Sequence, residues 1–180
     1  MQELHLTQEW DKVFPKSNQV DHKKVTFTNH FGITLAADQY TPKNYTGKLP
    51  TLAVAGPFGA VKEQSSGLYA QTMAEKGYLT IAFDPSFTGE SGGNVRDVFS
   101  LDINTEDFQA AVDYLTNLDN VDLEKVGIIG ICGWGLSMLL AITALAIVVV
   151  CTTKAIIMNL MAQDVVIATS CVFPKMGRMR

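Results

Sequence analysis

Residues 125–135 read Lys-Val-Gly-Ile-Ile-Gly-Ile-Cys-Gly-Trp-Gly, and this stretch decides the fold. Its first part, residues 125–130, is a short apolar run that is typical of a strand buried on both faces of a sheet. The glycines that follow, and the apolar run after Gly135, predict a sharp turn from this strand into a helix. Such a turn would lift Cys132 above the edge of the sheet at the start of the helix.

The elements that precede this stretch predict an α/β domain. The predicted strands are residues 23–29, 33–40, 51–55, 78–83 and 125–130. One helix is predicted to begin at a Ser65 or Ser66 cap and to end at Gly77, and a second helix is predicted to be capped by Asn104. Strands and helices alternate after the initial antiparallel hairpin, so we predict a mostly parallel sheet in a single domain, residues 1–180.

Composition excludes two classes of protein. The formal net charge is −4, whereas a protein that binds nucleic acid by neutralising phosphates needs a basic face, so we expect no nucleic-acid partner. Hydrophobic residues make up 47% of the chain, which is ample for a buried core and excludes a disordered tail.

The charged residues are unevenly distributed along the chain. Residues 126–180 hold only one of the 18 acidic residues, and residues 126–153 hold no charge and no histidine. A membrane segment, a buried core or an atypical tail over residues 136–180 would each explain this. Glycines interrupt the run and residues 136–150 alone are too short to span a bilayer, so we favour a buried strand and helix over membrane association.

Cysteine usage predicts a cytoplasmic protein with reduced thiols. The three cysteines are Cys132, Cys151 and Cys171, an odd number, and the N-terminus lacks the basic flank and apolar run of an export signal. Their spacing does not resemble a zinc site, and we predict neither a metal nor a cofactor. Cys151 and Cys171 follow no glycine-rich turn and are interpreted as structural.

Cys132 is the candidate reactive residue. Ligands of a parallel sheet bind beyond the carboxyl ends of its strands, where the loops of residues 56–64, 84–93 and 130–135 lie. A helix N-terminus would favour the thiolate of Cys132, and the Gly133 N–H could hold a developing oxyanion. Two alternatives stay open at this point: a buried cysteine that acts as a small hydrophobe, and a glycine-rich turn that binds a nucleotide.

Three motifs together resemble those of an α/β hydrolase. They are Gly-Pro-Phe-Gly-Ala-Val-Lys-Glu-Gln at residues 56–64, Phe-Asp-Pro-Ser-Phe-Thr-Gly-Glu-Ser at residues 83–91, and Gly-Ile-Cys-Gly-Trp-Gly at residues 130–135. They occur in the order and on the strands expected of that superfamily. The chain is most similar to bacterial proteins that resemble dienelactone hydrolases, over residues of roughly 20–135.

This resemblance implies acyl transfer by Cys132 on a small-molecule ester or lactone. The oxyanion hole would combine the N–H groups of Gly133 and Phe58. The elbow around the nucleophile would be formed by Gly130, Trp134 and Gly135, although Trp134 stands where the superfamily usually has a small residue. We interpret residues 84–91 as scaffold. Lys62 and Glu63 either face the pocket or pair with each other on the surface, and we favour the surface.

The resemblance fails after the nucleophile. In this fold an Asp or Glu and then a His follow the nucleophile, whereas this chain has only Asp164 after Cys132 and no later histidine. His5, His22 and His30 all precede Cys132, and we do not expect His30 to supply the missing imidazole. A truncated or frameshifted C-terminus would explain the departure. The alternative function is therefore a catalytically inactive relative.

The C-terminal part also bears on assembly. Residues 153–160 are interpreted as a further strand, after which the sheet would be incomplete at the C-terminus. An exposed apolar edge strand invites pairing with another chain, so we predict a possible homo-oligomer through this edge.

Overall fold

The computed structural model describes residues 4–7, 9–132 and 149–151, the last three by their backbone alone. The strands are β1 (Val20–Thr28), β2 (Thr34–Pro42), β3 (Leu49–Ala55), β4 (Leu79–Phe83), β5 (Val121–Gly130) and β6 (Val149–Cys151). The helices are α1 (Ser65–Glu75) and α2 (Leu101–Thr116). Within these residues one sheet runs in the order β1-β2-β4-β3-β5-β6. The predicted α/β fold is confirmed.

The sheet is mixed: β1 pairs antiparallel with β2, β2 pairs antiparallel with β4, and the remaining strand pairs are parallel. Strands β4, β3, β5 and β6 are mutually parallel, with Ala55 opposite Gly130 where β3 and β5 end. The pair β1–β2 is the predicted antiparallel hairpin, and its turn closes through the Asn29 N–H bonded to the Ile33 carbonyl at 3.1 Å. Gly32 has φ +76° in this turn, a conformation that favours glycine.

Each face of the sheet buries one helix. Helix α2 packs against the face that carries Phe83, and the Phe108 ring meets the Phe83 ring edge-on at 5.1 Å between centroids. Helix α1 packs against the opposite face with Ala70, Met73 and Ala74. Each helix therefore buries one apolar face against the sheet.

Both predicted helix caps are wrong. Helix α2 begins at Leu101 after Ser100, so Asn104 lies one turn inside the helix, where its Oδ1 accepts the Ser100 N–H at 2.9 Å. The residue before α1 is Gln64 with no side-chain cap, and the Ser66 hydroxyl is buried without a hydrogen-bond partner among the described residues. The prediction failed because Asn104 bonds the Ser100 N–H and the Asp107 carboxylate from inside α2, and because no side chain caps the first turn of α1.

The two predictions for the C-terminal part fall outside the described residues. These are the strand at residues 153–160 and the exposed edge that would support an oligomer. Of the helices that the structure describes, neither is both long and apolar enough to cross a lipid bilayer.

Candidate active site

Cys132 stands immediately beyond the carboxyl end of β5, as predicted. The preceding residue still belongs to the sheet, since the Ile131 N–H donates to the Ala55 carbonyl at 3.1 Å. Gly130 is the buried last residue of β5. The side chain of Cys132 is only partly buried, and its thiol is free.

The backbone of Cys132 is strained. Its φ is +63°, in the left-handed region that residues with a Cβ avoid at a cost of about 1–2 kcal/mol. Strain of this kind is concentrated at functional sites, and a sharp strained turn that exposes the nucleophile is characteristic of α/β-hydrolase elbows. Gly133, Trp134 and Gly135, the other predicted members of the elbow, lie outside the described residues.

The loop of residues 56–64 follows the strand adjacent to β5, and it is here called the oxyanion loop after the role that the sequence predicts for Phe58. Phe58 lies on it, three residues after Ala55, and is 45% exposed. The Phe58 ring packs on the Phe99 ring, with centroids 4.6 Å apart, and Phe99 is 48% exposed. The ends of neighbouring strands therefore bring the Phe58 and Cys132 segments to the same edge of the sheet, together with an apolar surface.

The histidines of the hairpin are remote from Cys132. His22 lies on β1 and His30 in the turn that follows it, and β1 is separated from β5 by four strand spacings of about 4.8 Å, or about 19 Å in all. His22 Nε2 lies 2.8 Å from Asp38 Oδ1, and His30 Nδ1 contacts Glu106. In residues 4–7, 9–132 and 149–151, no hydrogen bond or ion pair joins the Cys132 thiol to a histidine or carboxylate.

Lys62 is not on the surface, and this corrects the sequence prediction. Its side chain is fully buried, and its Nζ lies 2.9 Å from Asp84 Oδ2, 2.7 Å from Glu90 Oε2 and 2.5 Å from Glu63 Oε1. The pairing with Glu63 was predicted, but the burial was not, because Asp84 and Glu90 come from the loop after β4. The sequence around Lys62, residues 56–64, contains no local pattern that predicts the burial of its side chain.

Asp84 organises the loop after β4. Its Oδ1 accepts the Lys62 N–H at 2.7 Å and its Oδ2 accepts the Glu90 N–H at 2.9 Å. The Cβ of any other residue at Gly89, where φ is +54°, would come within 2.2 Å of Asp84 Oδ2. The Ser91 hydroxyl donates to the Asp84 carbonyl at 2.6 Å. These contacts support the interpretation of residues 84–91 as scaffold.

The ion network extends to the N-terminal segment and the hairpin. Lys24 on β1 lies 2.7 Å from Glu90 Oε2 and 2.9 Å from Asp11 Oδ2. Lys12, whose side chain is fully buried, lies 2.9 Å from Asp38 Oδ2. Five segments that are distant in sequence are thus tied together on the α1 face of the sheet.

Two pKa shifts follow from this network. Burial alone would raise the pKa of Glu90, but hydrogen bonds from Lys24, Lys62 and the Thr7 N–H lower it to about 2. Burial alone would lower the pKa of Lys62, but Asp84, Glu63 and Glu90 outweigh that effect and raise it. Both groups are therefore charged at neutral pH.

We expect Glu90 to make the fold acid-labile. Its folded pKa of about 2 lies below the ordinary 4.5, so the unfolded chain binds more protons between these values and stability falls as the pH drops through that window. Urea unfolding across the window should show a smaller loss of stability in Glu90→Gln than in the parent chain. Glu75→Gln, exposed at the end of α1, is the control and should follow the parent. An unchanged slope in Glu90→Gln would contradict the linkage.

The fold and the site define the class of protein. A mixed sheet with helices on both faces, and a strained residue beyond the end of a parallel strand, is the arrangement of an α/β hydrolase. The sequence profile of the X-Pro dipeptidyl-peptidase (S15) family matches residues 32–172, and the chain belongs to that family.

Two curated relatives are similar over most of the described residues. Protein PA2218 of Pseudomonas aeruginosa is 67% identical over 134 residues, which are 74% of this chain and 36% of that protein. Protein YcjY of Escherichia coli is 44% identical over 115 residues, which are 62% of this chain and 38% of that protein. The chain therefore spans well under half the length of either relative.

Solved structures agree with the assignment. The crystal structure of PA2218 superposes with a TM-score of 0.81 at 61% identity and covers 84% of this chain and 48% of that one. Est1E from Butyrivibrio proteoclasticus, solved with bound ferulic acid, has a TM-score of 0.58 at 29% identity, with 67% of this chain and 47% of that one covered. The predicted membership of the α/β-hydrolase superfamily is confirmed.

Proposed function

We propose that Cys132 is the nucleophile of an acyl-transfer site that acts on carboxylic esters or lactones. The observation that carries the proposal is the φ of +63° at Cys132, directly beyond the end of β5. Packing does not require a strained backbone conformation at a partly exposed cysteine, because a structural cysteine can be buried at an ordinary φ. Membership of a hydrolase family supports the same conclusion.

The proposed reaction is thiolate attack on an ester carbonyl. The Cys132 sulfur bonds to the carbonyl carbon, the carbonyl oxygen gains the negative charge, and the collapse of this oxyanion expels the alkoxide and leaves a thioester on Cys132. The N–H groups of Phe58 and Gly133 are the proposed donors to the oxyanion. The apolar surface of Phe58 and Phe99 favours a substrate with an apolar or aromatic group beside the carbonyl.

Within the described residues, no hydrogen bond or ion pair links the Cys132 thiol to a base that could serve the second step of the reaction. His22 is on β1, about 19 Å from β5 by strand spacing, and after Cys132 the sequence holds Asp164 and no histidine. We therefore propose that acylation of this chain is faster than its deacylation. The same observation favours a second candidate, a catalytically inactive relative that does not react with esters at all.

The two candidates are separated by a burst experiment with p-nitrophenyl acetate. The proposal predicts a rapid release of about one p-nitrophenol per chain, followed by a slower steady state, with the acetyl group located on Cys132 by peptide mass spectrometry. A folded chain that shows no burst, or that is acetylated at other residues only, would overturn the proposal and leave the inactive relative.

A further inference from the structure

We propose that Lys62 positions the oxyanion loop, and with it the Phe58 N–H, for the acyl transfer at Cys132. The inference rests on the proposed function. It makes Lys62 a positioning residue rather than a catalytic one, because its side chain is fully buried and is surrounded by carboxylates. The carboxylates that contact Lys62 belong to the oxyanion loop and to the loop after β4.

Lys62 anchors the end of the oxyanion loop that leads into α1, and it does so twice. Its N–H donates to Asp84 Oδ1 at 2.7 Å, and its Nζ donates to Asp84 Oδ2 at 2.9 Å. The other end of the loop is held in the sheet at Ala55, the last residue of β3. Phe58 lies between these two anchors, three residues after the first and four before the second. Its position is thus determined by both.

The number of carboxylate acceptors around the Lys62 ammonium group equals its number of N–H donors. A lysine ammonium has three N–H donors, and three carboxylates lie within hydrogen-bond distance of Lys62 Nζ, those of Asp84, Glu63 and Glu90. Glu63 belongs to the oxyanion loop, whereas Asp84 and Glu90 belong to the loop after β4. One buried cation therefore joins the two loops at the edge of the sheet where Cys132 lies.

Stability alone is a poor reason for this arrangement. Replacing a buried ion pair with apolar side chains of similar volume is often neutral or stabilising, because two charges must be removed from water. What the charged contacts provide is one geometry, since their directions and lengths admit a single placement of the loop. The packing around it is equally tight, because a Cβ on Gly67 would come within 2.3 Å of the Lys62 carbonyl oxygen.

A shift of the oxyanion loop would slow ester attack and spare other reactions of the thiol. Loss of one oxyanion-hole donor typically costs about 10²–10³-fold in rate. Alkylation by iodoacetamide displaces iodide from a saturated carbon and forms no oxyanion, so it does not use the loop. The ratio of acylation rate to alkylation rate at Cys132 thus measures the placement of the donor and not the general state of the thiol.

The experiment compares these two rates in a double variant and a single variant. Lys62→Met/Asp84→Asn removes the two fully buried charges together, so it serves if the single variant Lys62→Met fails to fold, while Glu63 and Glu90 keep Lys24 as a neighbouring cation. In each folded variant we expect acylation by p-nitrophenyl acetate to slow about 10²-fold and alkylation to stay within about threefold of the parent. Lys76→Met, exposed just after α1, is the matched control and should leave both rates unchanged.

Each outcome decides a different point. Parent-like acylation in the folded double variant would overturn the inference, because the ion pair would then be structural only. An equal loss of both rates would also overturn it, since Cys132 itself would have moved. No acylation of the parent chain would instead refute the proposed function, a failure that is visible before any Lys62 variant is made.

Discussion

The Cys132→Ala chain is expected to show no burst with p-nitrophenyl acetate. Removing the nucleophile leaves no atom to carry the acyl group, and loss of a nucleophile typically lowers the rate of covalent catalysis by about 10³-fold or more. Stopped-flow release of p-nitrophenol measures the effect. Cys171→Ala, a cysteine interpreted as structural from the sequence, is the control and should retain a burst of about one equivalent per chain.

Cys132→Gly tests the strained backbone separately from the thiol. Glycine reaches φ +63° without the Cβ clash, so this variant should be about 1 kcal/mol more stable than Cys132→Ala while it is equally unreactive. Thermal or urea unfolding of the two variants checks this. If alanine were as stable as glycine at this position, the elbow would hold no strain, and the argument that links backbone cost to function would fail.

Replacing Asp107 with alanine is expected to lower the free energy of unfolding by about 3–5 kcal/mol. Asp107 is fully buried in α2, and its carboxylate accepts four hydrogen bonds. The donors are Ser86 N at 2.8 Å, Ser86 Oγ at 2.7 Å, Asn29 Nδ2 at 2.8 Å and Asn104 Nδ2 at 2.9 Å. Alanine would leave all four donors buried without this acceptor.

The position of Asp107 explains why the effect should be large. It joins the turn of the hairpin at Asn29, the loop after β4 at Ser86 and the first turns of α2 at Asn104, three segments that no local contact connects. Asp113→Ala, an exposed site on the same helix, is the control and should change stability by no more than about 0.5 kcal/mol. A urea midpoint for Asp107→Ala close to that of Asp113→Ala would contradict the prediction.

The sequence predicted those features that local patterns encode. Alternating and continuous apolar runs located β1 to β5 because burial of one or both faces imposes the pattern on each strand separately. The glycine-rich turn after β5 located Cys132 for the same reason, since a sharp turn needs particular residues wherever it occurs. The helix caps were harder, because neither helix has a side-chain cap at its N-cap residue and Asn104 bonds the Ser100 N–H from inside α2.

The buried ion network could not be read from the chain. Lys62, Asp84 and Glu90 are each ordinary polar residues in their local sequence, and Lys24 lies in a strand whose polar and apolar residues alternate. Their burial follows from the approach of loops that are 22 to 28 residues apart, as the Lys62 contacts with Asp84 and Glu90 show. Ion pairs between residues so far apart in sequence produce no periodic pattern in the sequence.

By itself, then, the sequence determined the α/β architecture, the membership of the superfamily and the place of Cys132 just beyond the end of β5. Only the tertiary structure decided that Cys132 carries a strained φ, that no histidine of the hairpin lies near it, and that Lys62 is a buried cation rather than a surface one. The physical reason is that hydrophobic periodicity and turn chemistry act over a few neighbouring residues. Strand order, distance and the pairing of buried charges are properties of segments brought together by folding.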